Sequence, residues 1–277
     1  MFQVQVLGTE RRATALVDDV IVQGSDELEV EAYLVRPLEA SPDSPDGAGL
    51  VMWHWLDTEA PDGNRTQYLD EAAELALAGV VSILPQGRFP WSIPPTGADA
   101  DAGEIRAEAA RLRMCLDVLT ERPDVDPARL GIVGHDFGGM VALVAGAEDT
   151  RTAALVVVAA TPRWADWFLP FWPIAEDRLD YLRALRPLDP VERIGHVAGA
   201  PILLQFAERD YYIAMMSGRE LQRAAPEGTE LLVYDTGHDM RLAQIRTDRR
   251  RFLGTALRIT EPDAARSTSA DDQAATT

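Results

Sequence analysis

The sequence predicts an α/β protein in which a mostly parallel sheet is flanked by helices. Short apolar runs with the length of buried strands, such as residues 80–84 and 154–160, alternate with stretches of helical composition. Between residues 105 and 119 the apolar side chains recur every three or four positions, which is typical of an amphipathic helix. Alternating strands and helices favour parallel strand pairing, because each connection crosses the sheet through a helix.

The predicted elements follow one another along almost the whole chain. An N-terminal hairpin is expected first, from two stretches with strand character around a turn-like segment. We predict one domain over residues 1–258 and a disordered tail over residues 259–277, which lacks apolar periodicity. The predicted strands are 15–22, 28–35, 50–55, 80–84, 130–133, 154–160, 201–206 and 230–234, and the predicted helices are 65–79, 105–119, 138–146, 215–225 and 240–258.

Residues 161–199 interrupt this alternation and are a candidate lid. Three of the six tryptophans lie within residues 162–173, together with two phenylalanines and three prolines. The prolines argue against a long regular helix, and sheets of this class bind ligands at the carboxyl ends of their strands. We therefore expect a short aromatic lid. The alternative is a helix packed against the core, with the aromatic residues as filler.

Composition and charge exclude several classes of function. With 26 basic and 45 acidic residues the net charge is −19, so the basic footprint of a nucleic-acid or anionic-membrane partner is missing. No apolar run reaches the roughly 18 residues of a membrane helix, and the N-terminus does not resemble a signal peptide. The single cysteine rules out an internal disulfide. We expect a cytoplasmic protein. The sequence leaves the oligomeric state open, and a homodimer is one of the options.

The segment GHDFGG, residues 134–139, lies between a predicted strand and a predicted helix. A turn of the form G-x-S-x-G at such a place presents a nucleophilic serine, and here Asp136 takes the serine position. The free N–H groups and the dipole at the start of a helix favour an anion. We therefore expect Asp136 to be ionised and available as a nucleophile.

Two later segments supply a candidate base and acid. His238 follows the predicted strand 230–234 and is the best placed of the four histidines to act as a base. Asp210 follows the strand 201–206 and is expected to orient the His238 ring and set its tautomer. Asp166, which follows the strand 154–160, is the alternative acid. No metal-ligand spacing and no phosphate-binding glycine motif is present, so no metal or cofactor is expected.

The chain order nucleophile, acid, histidine, carried by GHDFGG, FAERDYY and YDTGHDM, resembles the α/β-hydrolase superfamily over roughly residues 25–258. The segments MWHW, LPQGRFPW and VDPARLGIVGHDFGG look more like its dienelactone hydrolase branch, whose nucleophile is cysteine or serine. The aspartate is similar instead to that of epoxide hydrolases and haloalkane dehalogenases. The resemblance implies an oxyanion hole formed by the backbone N–H of Phe137 and a second donor, Trp55 or Leu56.

An aspartate nucleophile favours displacement at an sp3 carbon. A carboxylate that attacks an ester carbonyl forms an anhydride, which reverts easily. Attack on a saturated carbon opens an epoxide or expels a halide and leaves an alkyl ester, which water activated by histidine can hydrolyse. Dehalogenases usually have a tryptophan after the aspartate, whose N–H holds the halide. Phe137 has no such donor, so epoxide hydrolysis is the favoured reaction.

The candidate lid supplies most of the predicted substrate contacts. Its tryptophans could replace the missing halide donor, and the family's epoxide hydrolases use lid tyrosines as the acid. We expect a small or medium-sized apolar substrate and water as the reactants. The alternatives are haloalkane dehalogenation, ester or lactone hydrolysis with Asp136 as a general base, and a non-catalytic binding protein on the same fold. The predicted substrate-contacting residues are Trp164, Trp167, Trp172, Tyr181 and Tyr211.

Overall fold

The computed structural model describes residues 2–25, 28–39, 46–57, 59–60, 62–197 and 199–260. Within these residues the chain forms one sheet. Its strands, numbered along the chain, are β1 (Gln3–Arg11), β2 (Ala15–Gln23), β3 (Glu29–Pro37), β4 (Gly47–Trp53), β5 (Val81–Pro85), β6 (Val125–His135), β7 (Thr152–Val158), β8 (Ile202–Ala207) and β9 (Glu230–Tyr234).

The order of the strands across the sheet is β1-β2-β3-β5-β4-β6-β7-β8-β9. From β5 to β9 every neighbouring pair is parallel, whereas β1, β2 and β3 pair antiparallel at one edge. This arrangement confirms the predicted α/β class with its mostly parallel sheet. The edge strand β1 was not predicted. All nine of its residues are exposed, so its sequence carries no buried face that a pattern could reveal.

Helices cover the sheet in two groups. The helices α2, α3, α6 and α7 contact one another in series, whereas α1 and α8 are joined by a buried ion pair between Glu71 and Arg249. The helices are α1 (Leu69–Leu75), α2 (Ala98–Thr120), α3 (Phe137–Glu148), α4 (Trp164–Phe168), α5 (Arg178–Leu185), α6 (Pro190–Arg193), α7 (Met215–Ala224) and α8 (Ala243–Ala256). None of the helices in these described ranges is long and apolar enough to cross a membrane.

The central strands are buried on both faces. Every residue of β4, β5 and β8 is buried, which is why these segments are continuous apolar runs rather than alternating ones. The strand β4 ends at Trp53, two residues earlier than predicted. His54 and Trp55 therefore lie in the loop at the carboxyl end of the sheet, where the neighbouring strand β6 also ends.

Residues 161–199 form short helices rather than one long one. The helix α4 has five residues, α5 has eight and α6 has four. The absence of a long helix among the described residues of this segment fits its prolines. The boundary at residue 258 and the disordered tail stay predictions, since residues 261–277 lie outside the described residues.

A buried polar network ties α1 and α8 to the sheet. The Arg249 guanidinium donates to both carboxylate oxygens of Glu71, at 2.9 and 2.6 Å, and to Gln205 on β8 at 2.8 Å. It also lies 5.4 Å from the ring centroid of Tyr68. Both charged side chains are nearly inaccessible to water. The charge of each is therefore balanced by the charge of the other rather than by solvent.

Candidate active site

Asp136 occupies the sharp turn between β6 and α3. Its backbone has φ 53° and ψ −115°, a left-handed conformation that is uncommon for a residue other than glycine and that clusters at active sites. Two backbone hydrogen bonds hold the turn. The Asp136 N–H donates to the carbonyl of Val158 at 2.7 Å, and its carbonyl accepts the Met140 N–H at 3.0 Å. The turn therefore presents the Asp136 side chain at the carboxyl end of the sheet.

The glycines of GHDFGG are required by close backbone approaches. A Cβ on Gly138 would lie 2.6 Å from the carbonyl oxygens of both Trp53 and His54. A Cβ on Gly134 would collide with the carbonyl of Gly138 across the turn. The start of α3 can thus pack directly against the ends of β4 and β6 only without side chains at these positions.

The structure brings together the three residues predicted as nucleophile, base and acid. His238 Nδ1 lies 2.8 Å from Asp210 Oδ2, and His238 Nε2 lies 3.8 Å from Asp136 Oδ2. Since a carboxylate can only accept, Nδ1 carries the proton in the neutral ring and Nε2 is left with a free lone pair. His238 and Asp136 are 9% and 4% exposed. A base and a carboxylate therefore share one nearly dry site.

Asp210 is itself fixed by the loop after β8. Its Oδ1 accepts the backbone N–H groups of Tyr212 and Ile213 at 2.8 and 2.9 Å, which leaves Oδ2 for His238. The alternative acid, Asp166, instead faces Arg163 at 3.5 Å, and its side chain is 42% exposed. In this geometry the partner of His238 is Asp210.

The electrostatics of the site couple the carboxylate to the imidazole. Burial raises the pKa of Asp136 above its ordinary value, and the nearby His238, the Trp167 N–H and the Phe137 N–H oppose that rise. Burial lowers the pKa of His238, but the hydrogen bond to Asp210 and the charge of Asp136 outweigh it, so the net shift is upward. The ionisation of Asp136 is thus set by these partners as well as by the start of α3.

Of the three tryptophans in the candidate lid, Trp167 is the one that donates to Asp136. Its Nε1–H donates to Asp136 Oδ1 at 2.8 Å. The Trp164 Nε1–H donates instead to the Leu188 carbonyl, and its ring packs on Phe137. Trp172 stacks on Trp167 with ring centroids 5.4 Å apart. The sequence shows that these rings are concentrated in the candidate lid but not which one faces Asp136.

The tyrosines are arranged differently from the sequence-based prediction. The Tyr181 hydroxyl is buried and donates to Asp101 Oδ2 at 2.7 Å, and Tyr211 is 91% exposed. It is Tyr212 whose ring lies against His238, with centroids 5.1 Å apart. Tyr212 follows Asp210 by two residues, so its proximity to the acid was visible in the sequence, but the direction of its ring was not.

The three backbone N–H groups predicted to form the oxyanion hole differ in their contacts. The backbone N–H of Phe137 faces the carboxylate closely enough to lower the pKa of Asp136. The Trp55 N–H donates at 2.9 Å to Gln67 Oε1 and is therefore already engaged. Leu56 is half-buried in the same loop. Among these three, Phe137 is the residue whose backbone N–H lowers the pKa of Asp136.

Two further histidines flank the site in the neutral state. Burial lowers the pKa of His54 to about 4, and its Nε2 accepts the Gly87 N–H. Burial also lowers the pKa of His135 well below its ordinary value, and its Nδ1 lies 2.6 Å from Gln67 Nε2. Both rings link loops at the carboxyl ends of strands, which leaves His238 as the candidate base.

Solved structures of other proteins share the fold of this chain. No family model matches the sequence, and no curated protein matches it. An acetyl xylan esterase from Paenibacillus sp. R4 is similar in structure with a TM-score of 0.72 and 18% identity, over 92% of this chain and 89% of that chain. Acetyl xylan esterase 1 from Thermoanaerobacterium sp. JW/SL YS485 gives 0.67 and 14%, over 91% and 86%.

A third structure, the alpha/beta hydrolase GrgF from Penicillium sp. sh18, has a TM-score of 0.61 and 17% identity, over 87% of this chain and 99% of that chain. At such identities the likeness is one of fold. The mostly parallel sheet, the tight turn at Asp136 after β6 and these neighbours together show that the protein has the α/β-hydrolase fold.

Proposed function

We propose that the protein is a hydrolase in which Asp136 attacks an sp3 carbon and His238 activates the water that hydrolyses the resulting ester. The favoured substrate is a small or medium-sized epoxide. The observation that carries the proposal is the carboxylate on the strained turn, with Oδ2 facing His238 Nε2 at 3.8 Å and the other ring nitrogen held by Asp210. This geometry matches nucleophile, base and orienting acid.

In the first step an Asp136 oxygen forms a bond to one epoxide carbon, and the ring C–O bond breaks. The departing oxygen takes a proton from an acid. Tyr212, whose ring contacts His238, is the candidate acid, since the Tyr181 hydroxyl is engaged by Asp101. The product of this step is a hydroxyalkyl ester of Asp136.

In the second step water gives a proton to His238 Nε2 and adds to Cγ of the ester. The tetrahedral intermediate then expels the alkoxide, which recovers the proton from His238, and the diol leaves. Asp136 is left as a carboxylic acid, and its proton returns to the Tyr212 phenolate formed in the first step, which restores both groups. Because the ester has no negative charge, one of the influences that raise the pKa of His238 is lost after alkylation. Alkylation therefore lowers the pKa of His238 and favours the neutral ring at the step that needs a base.

The surroundings of Asp136 favour an uncharged substrate. The ring of Phe137 packs against Trp91, Trp164 and Trp167 with centroids 5.2 Å away in each case. Arg163, which precedes Trp164 in the chain, has its charge paired with Glu220 and Asp166. Packed aromatic rings of this kind are suited to contact with apolar groups.

Haloalkane hydrolysis is the second candidate, supported by the Trp167 N–H beside the nucleophile. An indole N–H can bind a departing halide as well as a carboxylate. In the present geometry, however, that donor bonds to Asp136 Oδ1, and the Phe137 ring offers no second donor. The epoxide, whose leaving oxygen needs one acid, therefore fits the available groups better.

The test is to trap the covalent ester in the His238→Gln variant. This change should permit attack and block hydrolysis, so an adduct should accumulate on the Asp136 peptide. The purified variant is incubated with separate panels of epoxides, haloalkanes and aryl or acetyl esters and analysed by intact-mass and peptide mass spectrometry. His196→Gln is the matched control, because His196 is exposed and this variant should turn over without accumulating an adduct.

The panel that gives the adduct identifies the reaction. An adduct from epoxides supports the favoured reaction, and one from haloalkanes alone supports the second. Turnover of esters by the wild type without any adduct would assign Asp136 the role of a general base and refute the covalent mechanism. Ligand binding without turnover or adduct in any panel would indicate a binding protein.

A further inference from the structure

We infer that the indole N–H of Trp167 is a donor of the oxyanion hole, so that the lid, and not only the backbone at the turn, stabilises the hydrolytic intermediate. The inference rests on the proposed function, because it assigns roles to the two oxygens of Asp136 in forming and hydrolysing an ester. Its basis is that these two oxygens have different partners.

Asp136 Oδ1 accepts the Trp167 N–H at 2.8 Å, whereas Asp136 Oδ2 faces His238 Nε2 at 3.8 Å, beyond hydrogen-bond distance. An oxygen that already accepts a hydrogen bond is the weaker nucleophile, so Oδ2 is the attacking atom. Oδ1 then becomes the carbonyl oxygen of the ester. It is the atom on which negative charge develops when water adds to Cγ.

This assignment also places the leaving oxygen correctly. The alkylated Oδ2 lies on the side of His238, which must return a proton to the departing alkoxide. During water addition the carbonyl π pair moves onto Oδ1, and on collapse it returns as the Cγ–Oδ2 bond breaks. The Trp167 N–H keeps its proton throughout and needs no new contact as the charge appears.

The backbone donor expected from the loop after β4 is engaged elsewhere. The Trp55 N–H donates to Gln67 Oε1 at 2.9 Å. Because this oxygen is the Gln67 acceptor, the Gln67 amide nitrogen donates to His135 Nδ1, 2.6 Å away. The side chain of Gln67 is thus fixed at both ends, and it withholds Trp55 from the developing charge. The indole of Trp167 supplies a donor in its place.

Trp167 is rigidly held for this role. Trp167 is 7% exposed. Its ring stacks on that of Trp172 with centroids 5.4 Å apart and forms T-shaped pairs with Phe137 and Phe168 at 5.2 and 5.3 Å. A preorganised donor in a site that excludes water stabilises developing charge most effectively, since no reorganisation accompanies the reaction.

The Trp167→Phe variant tests the assignment, because it keeps a ring and removes the N–H. The loss of one oxyanion donor costs about 10²–10³-fold in rate, and we expect this loss in ester hydrolysis rather than in attack. The alkyl-enzyme should therefore accumulate on Asp136 during turnover even though His238 is present. The rate of attack, compared between His238→Gln and the double variant His238→Gln/Trp167→Phe, should fall much less.

Trp172→Phe is the matched control, since it removes an indole from the same stack without removing the bond to Asp136. Because Trp172 is a predicted substrate contact, this variant can bind substrate less tightly, but it should hydrolyse the ester as fast as the wild type and not accumulate it. Trp167→His, which keeps an N–H donor, should recover part of the hydrolysis rate. If Trp167→Phe lowered only the rate of attack, the Trp167 N–H would act on the leaving group rather than on the oxyanion. If Trp167→Phe left the rate of ester hydrolysis unchanged, Trp167 would have only a structural role. Either result overturns the inference.

A second measurement needs no change at Trp167. In the trapped His238→Gln ester, a hydrogen bond from the indole should lower the infrared stretching frequency of the ester carbonyl below that of a free alkyl ester. An unshifted carbonyl would refute the inference. Failure of the proposed function is distinguishable from both outcomes, because His238→Gln would then form no adduct at all.

Discussion

Replacement of Asp136 by asparagine is expected to lower turnover by about 10⁴-fold or more, as removal of a nucleophile does in other hydrolases. The amide is nearly isosteric, and its oxygen can still accept the Trp167 N–H seen at 2.8 Å from Asp136 Oδ1. The fold and the turn should therefore persist while the anionic nucleophile is lost. The measurement is kcat/KM with the substrate identified by trapping, together with the circular dichroism spectrum.

Asp166→Asn is the control for this prediction. Asp166 lies on α4 and pairs with Arg163 at the surface, so its replacement should leave turnover unchanged. The same variant tests the alternative acid considered from the sequence. Substantial residual activity in Asp136→Asn would contradict the covalent mechanism, and a severe loss in Asp166→Asn would contradict the assignment of Asp210 as the acid.

Replacement of Glu71 by alanine is expected to lower the free energy of unfolding by about 3–5 kcal/mol. Arg249 is 6% exposed, and both of its bonds to the Glu71 carboxylate would be lost. The variant would leave a buried guanidinium whose charge is no longer compensated. Urea unfolding of the wild type and the variant, compared through the midpoint and the slope, measures the loss.

Glu74→Ala, on the same helix, is the matched control. Glu74 pairs with Arg246 and Arg250, but its side chain is 38% exposed, so the expected loss is about 1 kcal/mol or less. The double variant Glu71→Met/Arg249→Met should recover part of the larger loss, because no unpaired charge stays buried. Equal effects of Glu71→Ala and Glu74→Ala would contradict the account of the buried network.

The fold could be predicted because its central strands and its turn carry strong local signals. Doubly buried strands such as β5 are apolar runs, and the glycines around Asp136 are needed for backbone contact. The exposed strand β1 has neither signal. It is held by pairing with β2, a long-range property that composition does not show.

The order of the three candidate site residues along the chain was predictable from the sequence, but the directions of the surrounding side chains were not. The sequence placed Asp136, Asp210 and His238 at the ends of strands, and parallel strands bring such ends to one edge of a sheet. Which tryptophan or tyrosine faces them depends on the packing of short helices and loops. The Tyr181 hydroxyl donates a hydrogen bond to Asp101, whereas the Trp167 N–H donates one to Asp136.

The central claim is that Asp136 forms and then loses a covalent ester, and the most direct measurement uses the wild-type protein in water enriched in heavy oxygen. Because water adds to Cγ, hydrolysis leaves a solvent oxygen in the Asp136 carboxylate. After repeated turnovers we expect the label in the peptide that contains Asp136 and not in the peptide that contains Asp210. Label only in the product, with Asp136 unlabelled, would show that water attacks the substrate directly and would contradict the covalent mechanism.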